Sequence, residues 1–394
     1  MDSLKDTVAT LVQNHLQGVI NCYRHIHQNP ELSFNEVNTS NYLKEILLKE
    51  GINIIPIEGR YSFIAVIEGN ESGKTIGLRA ELDALPVNEE TTLDLRSQNH
   101  GIMHACGHDI HMASLIGVGL ILNELKAYIK GTVLLIFESG EEQLPGGAKA
   151  IMESSEFKRL NPDCIIGMHV LPELNTGEIG VCSGRYMASG DEVYLTVKGK
   201  GGHAALPHTL VDPIVISSNI LLNLQTIVSR NAPALIPTVL SFGRVEAMGA
   251  TNVIPNEVKI AGTFRTMDES WRTKAHSLIV ANAKGIAQSM GGDCTVEIRN
   301  GYPSVYNNPE LTNKARTLAV ELIGESKVIG LEPRMTTDDF AYFSQVVPSV
   351  FLRLGVGFDN AEKTQLHSPN FVANEKSLFT ATSLLCWLVL KLAD

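Results

Sequence analysis

Eight consecutive residues, His104-Ala105-Cys106-Gly107-His108-Asp109-Ile110-His111, hold a thiol, three imidazoles and a carboxylate. All of these side-chain types ligate metal ions, and a thiolate beside a neutral imidazole suits a borderline-soft cation such as zinc. Gly107 gives the backbone the freedom for Cys106 and His108 to converge. A buried cysteine next to a helix-capping His-Asp reads equally well, and a catalytic Cys/His pair is a third reading. A second dense spot is Glu141-Glu142, directly after the apolar run Thr132–Phe137. Neighbouring carboxylates point in different directions, so one could hold a metal while the other faces an attacking water. The competing reading is a solvated acidic loop.

Other residues carry weaker signals. His169 follows the apolar run Cys164-Ile-Ile-Gly-Met, and His367 lies in Leu366-His-Ser-Pro369. Each is a metal ligand or a structural histidine. Asp83, in Arg79-Ala-Glu-Leu-Asp-Ala-Leu-Pro86, is a turn residue or a group that orients a ligand. His203 after Gly201-Gly202, Asn252 in Asn252-Val-Ile-Pro255, and Arg265 gain no role from spacing alone. No Gly-Lys-Ser/Thr follows the glycines, so this is not a phosphate loop.

Hydrophobic periodicity predicts the elements that must position these groups. Helices are expected at 3–27, 35–50 and 109–126, with strands at 61–68, 75–81, 131–137 and 164–169. Strands alternating with helices imply an α/β fold: a mixed, mostly parallel sheet flanked by helices, with chemistry at the strand C-terminal ends. Near residue 186 the pattern changes to alternating strands at 190–198, 237–245, 257–266 and 293–299, with helices at 212–230 and 269–290. Four antiparallel strands with two helices suggest an inserted α+β domain. The expected division is 1–185 and 300–394 for a catalytic domain and 186–299 for the insertion. Further helices are expected at 309–323 and 375–392.

With 394 residues the chain exceeds one ordinary core. Hydrophobic content of 44% fits a soluble globular protein. A net charge of −11 without a Lys/Arg block makes it a poor nucleic-acid binder. No apolar run approaches the ~18 residues of a membrane span. The N-terminus lacks a signal-peptide pattern, and six scattered cysteines form no Cys-x-x-Cys. A reducing compartment, the cytoplasm, is expected.

Taken in order, the motifs resemble the aminoacylase/carboxypeptidase family of co-catalytic metallopeptidases, and within it the N-acyl-amino-acid amidohydrolases, a subgroup that includes hippurate and auxin-conjugate hydrolases. They are Arg24-His-Ile-His27 with Pro30-Glu-Leu-Ser-Phe34, Arg79-Ala80 with Asp83-Ala-Leu-Pro86, Met103 through Asp109, Glu141-Glu142, Gly167-Met-His169, Gly199 through His203, Asn252-Val-Ile-Pro255, Gly262-Thr-Phe-Arg265 and Leu366-His-Ser-Pro369.

The resemblance implies that Cys106, His108, Glu142, His169 and His367 hold two divalent ions. Zinc is the first expectation, and manganese, cobalt and nickel are compatible. It implies that Glu141 is the general base and that Asp83 supports the centre. His203, Asn252 and Arg265 would bind substrate, with His203 also stabilising the transition state. The inserted domain would act as a lid and form a homodimer, and the lid histidine could reach the partner's site. The expected reaction is hydrolysis of an N-acyl amino acid amide. Rival readings are a carboxypeptidase or dipeptidase of the same family, a cysteine hydrolase built on Cys106, and an inactive metal-binding scaffold. The chain departs from the subgroup at Glu81, where aspartate is common. It departs again at Thr337-Asp-Asp-Phe340, and at Ser139-Gly140, where Pro-Ala is common.

Overall fold

The computed structural model describes residues 2–59, 61–359 and 361–393. Contacts group the chain into two compact units. The first comprises the chain up to Gly184, Tyr306–Glu332 and the chain from Asp339. The second comprises Arg185–Val305 and Pro333–Asp338.

The first unit is built on an eight-stranded sheet. In spatial order it runs β1 (Asn53–Pro56), β2 (Phe63–Glu68), β4 (Lys130–Glu138), β3 (Glu71–Glu81), β5 (Cys164–Asn175), Ser349–Gly357, β6 (Ile179–Val181) and Val328–Gly330. The four central strands β4, β3, β5 and Ser349–Gly357 are mutually parallel. All residues of Ser349–Gly357 are buried. Such central strands read as unbroken apolar runs because helices cover both sheet faces. The two strands at one side, β1 and β2, are antiparallel.

Helix α3 (His108–Glu124) is apolar on nearly every side and buried along its length, as expected of a helix inside a core. It packs against α1 (Asp2–Gln28), against the helix Ser377–Leu392 and against the sheet. Gly117 and Gly119 allow this. A Cβ on Gly117 would meet Val19 at 2.7 Å, and one on Gly119 would meet Leu135 at 2.7 Å. Helix α2 (Val37–Lys49) adds Leu43 and Leu47 to the same core.

In the second unit four antiparallel strands lie in the order Thr238–Glu246, Glu257–Thr266, Asp191–Lys198, Asp293–Asn300. Alternate residues Val193, Leu195 and Val197 face its core together with Ile216, Ile220 and Leu224 of helix Pro213–Thr226 and Trp271, Ala275 and Ile279 of helix Glu269–Ser289. This is the period-two burial of a sheet covered on one face. Asp212 and Asp268 cap the two helices by accepting from backbone amides. No helix among the described residues is long and apolar enough to cross a membrane.

Candidate metal centre

Because β3, β4 and β5 are parallel, their C-terminal ends open on one side of the sheet. Asp83 follows β3, and Glu141 and Glu142 follow β4. His169 sits inside β5 and not at its end. The apolar run predicts a strand ending at 169, whereas pairing with Ser349–Gly357 carries it to Asn175, past Pro172. Between the thiol and the first imidazole, Gly107 adopts a left-handed φ of 79°. A Cβ there would lie 2.6 Å from Val170 Cγ2, so the turn runs flush against β5.

The donor atoms converge. Cys106 Sγ lies 3.3 Å from His169 Nε2. His108 Nε2 lies 4.0 Å from both Glu141 Oε2 and Glu142 Oε1. Glu142 Oε1 in turn lies 3.3 Å from His367 Nε2. Three overlapping groups, Cys106/His108/His169, Cys106/Glu142/His367 and His108/Glu141/Glu142, each keep their ligand-type atoms within 4.8 Å of one another. His108 Nε2 and Glu142 Oε1 are buried and make no hydrogen bond. Buried polar atoms of this kind call for a partner, and a shared cation satisfies both.

The surroundings aim these donors. His108 Nδ1 donates to the Asp83 carbonyl at 2.8 Å, and His169 Nδ1 donates to the Val170 carbonyl at 2.8 Å. With each Nδ1 engaged in this way, it is Nε2 of each ring that faces the cluster. Asp83 Oδ2 accepts from Ser33 Oγ (2.6 Å) and from the Glu142 amide (2.9 Å). Asp83 thus fixes one imidazole through its backbone and the Glu142 backbone through its carboxylate.

The electrostatics favour positive charge. Burial opposes a charged His108, yet Glu81, Asp83 and Glu142 push it up to about 10. Burial, with Arg353 and His111 nearby, holds His169 well below its usual value. Burial and the Glu142 and Glu141 carboxylates hold the Cys106 thiol well above the ordinary range. An activated nucleophile needs the opposite shift. This environment disfavours the cysteine-hydrolase reading and suits a thiolate that is held by a cation.

His203, Asn252 and Arg265 all lie in the second unit. The pair Gly202–His203 runs antiparallel to Val253–Ile254, and Ala204 N donates to the Asn252 carbonyl at 3.0 Å, so His203 and Asn252 are neighbours. His203 is exposed, and its Nδ1 accepts the Ala205 amide at 3.1 Å. Arg265 lies on Glu257–Thr266, and its Nη1 donates to the Met335 carbonyl at 2.9 Å.

Residues 77–391 match the family described as Peptidase family M20/M25/M40. The chain belongs to the M20 peptidase family. It is 37% identical over 365 residues to the N-acetylcysteine deacetylase of Bacillus subtilis (strain 168), covering 92% of this chain and 94% of the relative. It is 38% identical over 306 residues to the N-acyl-L-amino acid amidohydrolase of Geobacillus stearothermophilus, covering 78% and 82%. A Bacillus subtilis structure described as a dinuclear metal-binding peptidase of the M20 family superposes with a TM-score of 0.84, at 33% identity, over 97% of this chain and 99% of that one. The M20 chain is therefore a hydrolytic enzyme.

Around the donors this M20 enzyme carries buried charges paired with one another. Arg79 Nε donates to Glu138 Oε2 at 2.7 Å, its Nη2 donates to Asp339 Oδ1 at 2.6 Å, and its Nη1 donates to Glu81. All four side chains are fully buried. The sequence carries a signal: Arg79 and Glu81 are same-face charges in the otherwise apolar second half of β3, residues 76–81. His111 has the chemistry of a ligand but is already engaged. Its Nδ1 bonds Glu81 Oε2 at 2.8 Å, and its Nε2 accepts the Val170 amide at 3.0 Å. Buried His27 holds Asp109 Oδ2 at 2.6 Å through Nδ1. That contact ties α1 to the start of α3, which carries His108.

Proposed function

We propose that this enzyme hydrolyses the amide bond of N-acyl amino acids, with Glu141 as general base. The observation that carries the reading is that His108 Nε2 and Glu142 Oε1, buried and without a hydrogen bond, face one space beside Cys106 Sγ and Glu141. Cys106, His108, Glu142, His169 and His367 would hold two divalent ions. Zinc fits this Cys/His/Glu set first, and manganese, cobalt and nickel are compatible. Such ions supply Lewis acidity and make a water acidic enough to attack near neutral pH. The Cys106 and Glu142 anions would offset half the charge of two divalent ions, and the three imidazoles would coordinate as neutral donors.

Glu141 then takes the proton of the attacking water and returns it to the leaving amine, a role typically worth 10²–10⁴ in rate. His203 accepts the Ala205 amide at Nδ1, so the neutral ring carries its proton on Nε2. This leaves an exposed donor for the oxyanion, a contribution of ~3 kcal/mol. Arg265 presents a guanidinium to the substrate carboxylate, for which its planar fork is suited. Asn252, beside His203, would bond the same end or the carbonyl. Closure of the second unit as a lid, and a homodimer formed through it, belong to the same reading. Six cysteines scattered along the chain with no Cys-x-x-Cys support a cytoplasmic setting.

The names of the two relatives support the substrate class. The test is a panel of N-acetyl, N-benzoyl and indole-acetyl amino acids, assayed with each metal restored to apoprotein. Turnover of N-acyl amino acids is expected. Cleavage of free-amine dipeptides alone would transfer the enzyme to the dipeptidase reading.

A further inference from the structure

Residues 33–36 hold the segment that carries Glu141 and Glu142 at two direct points and at a third through Asp83. Ser33 Oγ donates to Asp83 Oδ2 at 2.6 Å, the same oxygen that accepts the Glu142 amide at 2.9 Å. The Phe34 ring lies against Gly140, where a Cβ would come within 2.2 Å of Phe34 Cε1. Ser139 Oγ donates to Glu36 Oε2 at 2.6 Å. The Ser139 amide is held as well, by Ser62 Oγ at 3.0 Å.

Two backbone features mark this contact. Gly140 has φ 79° and Phe34 has φ 63°. A left-handed aromatic residue is rare and persists only where its surroundings enforce it. Glu36 and Ser139 are both 0% exposed. Glu36 Oε1 has no hydrogen-bond partner, and burial pushes this carboxyl up to about 7. An apolar side chain would fill the same space without that desolvation cost. Besides backbone groups of its own turn, the carboxyl has Ser139, two residues before the base, as its side-chain partner.

We propose that Glu36, acting through the Ser139 hydroxyl, is a positioning residue that sets the orientation of Glu141. The proposal rests on the reading of Glu141 as the general base. Glu36 touches no reacting atom. It holds the Ser139 side chain, Phe34 packs on Gly140, and Asp83 holds the Glu142 amide, so the base is flanked on both sides. A misplacement of ~1 Å at a reacting group can cost about a hundredfold in rate.

The test uses the full chain with its metals. Ser139→Ala should lower kcat about tenfold or more, with KM and metal content unchanged. Glu36→Gln keeps an oxygen for the hydroxyl and should stay within about twofold of wild type. The Ser139→Ala/Glu36→Ala double variant should be no worse than Ser139→Ala, because both changes break one bond. Amide hydrogen exchange across 139–142, a readout independent of turnover, should speed up in Ser139→Ala and not in Glu36→Gln.

Wild-type kcat and exchange in Ser139→Ala would overturn the proposal, as would losses that multiply in the double variant. If the double variant does not fold, Ser139→Ala and Glu36→Gln decide. Glu141→Gln separates the two claims. If it stays active, the base assignment fails. If it is dead while Ser139→Ala is normal, only the positioning role fails.

Discussion

Glu142 Oε1 and His367 Nε2 lie 3.3 Å apart, although the two residues stand on distant stretches of the chain. His367 reaches this place with a left-handed φ of 61°, pinned by its amide donating to the Ala105 carbonyl at 2.8 Å. A backbone conformation of that kind is held in place by the surrounding structure. The same contact brings the last expected ligand beside Cys106, so thiol, carboxylate and imidazole can share a cation.

If Glu141 moves the proton, Glu141→Gln should lower kcat by roughly 10²–10⁴. Metal content, measured by elemental analysis, should stay near wild type. Loss of metal would instead make Glu141 a ligand.

Chelation should abolish turnover, and added zinc, manganese, cobalt or nickel should restore it to differing degrees. It should also lower Tm, because ligands that bind only the folded state stabilise it by mass action. Full activity after exhaustive chelation would exclude the metal reading.

His203→Ala should lower kcat by about a hundredfold, the scale of one lost oxyanion donor. An effect on KM alone would remove the oxyanion role. Mixing His203→Ala subunits with Glu141→Gln subunits tests whether a site is shared across a dimer. Recovered activity supports sharing. No recovery, with mixed dimers demonstrated, places each complete site within one chain.

His27 gives a prediction about stability and pH. Burial pulls its pKa down, but hydrogen bonds to Asp109 and Glu89 outweigh this and lift it to about 9. The folded state therefore holds the proton more tightly than the unfolded chain does. The stabilisation is complete below pH ~6.5, the unfolded value, and is lost as pH rises through about 9; its size is ~3 kcal/mol. Denaturant titrations of His27→Gln and wild type should differ most near pH 6 and least near pH 10. An equal gap at both pH values would contradict the assignment.

Much of this organisation is legible in the sequence because it is local. The periodicity of α1, α2 and α3 gives their places to within a few residues, and Cys106-Gly-His108 and Glu141-Glu142 announce ligand chemistry by composition. What escapes is set by contacts across the chain. Arg79 and Asp339 meet only because β3 and the segment after 338 belong to one sheet-centred unit. His27 and Asp109 meet only because α1 packs on α3. The strand Ser349–Gly357 goes unread: its run is broken by Arg353 and two glycines, and its burial comes from pairing with β5, a contact made across the chain. His203, Asn252 and Arg265 have ordinary spacing, and the resemblance alone singled them out.

The turn at Gly107 leaves no room for even a methyl group against Val170. Attempts to evolve a new metal preference will therefore find this position closed. Any side chain there would lever the thiol and the first imidazole away from β5 together. Variation will have to enter through the other bank of donors, where His367, 54% exposed, has solvent around it and space to be replaced.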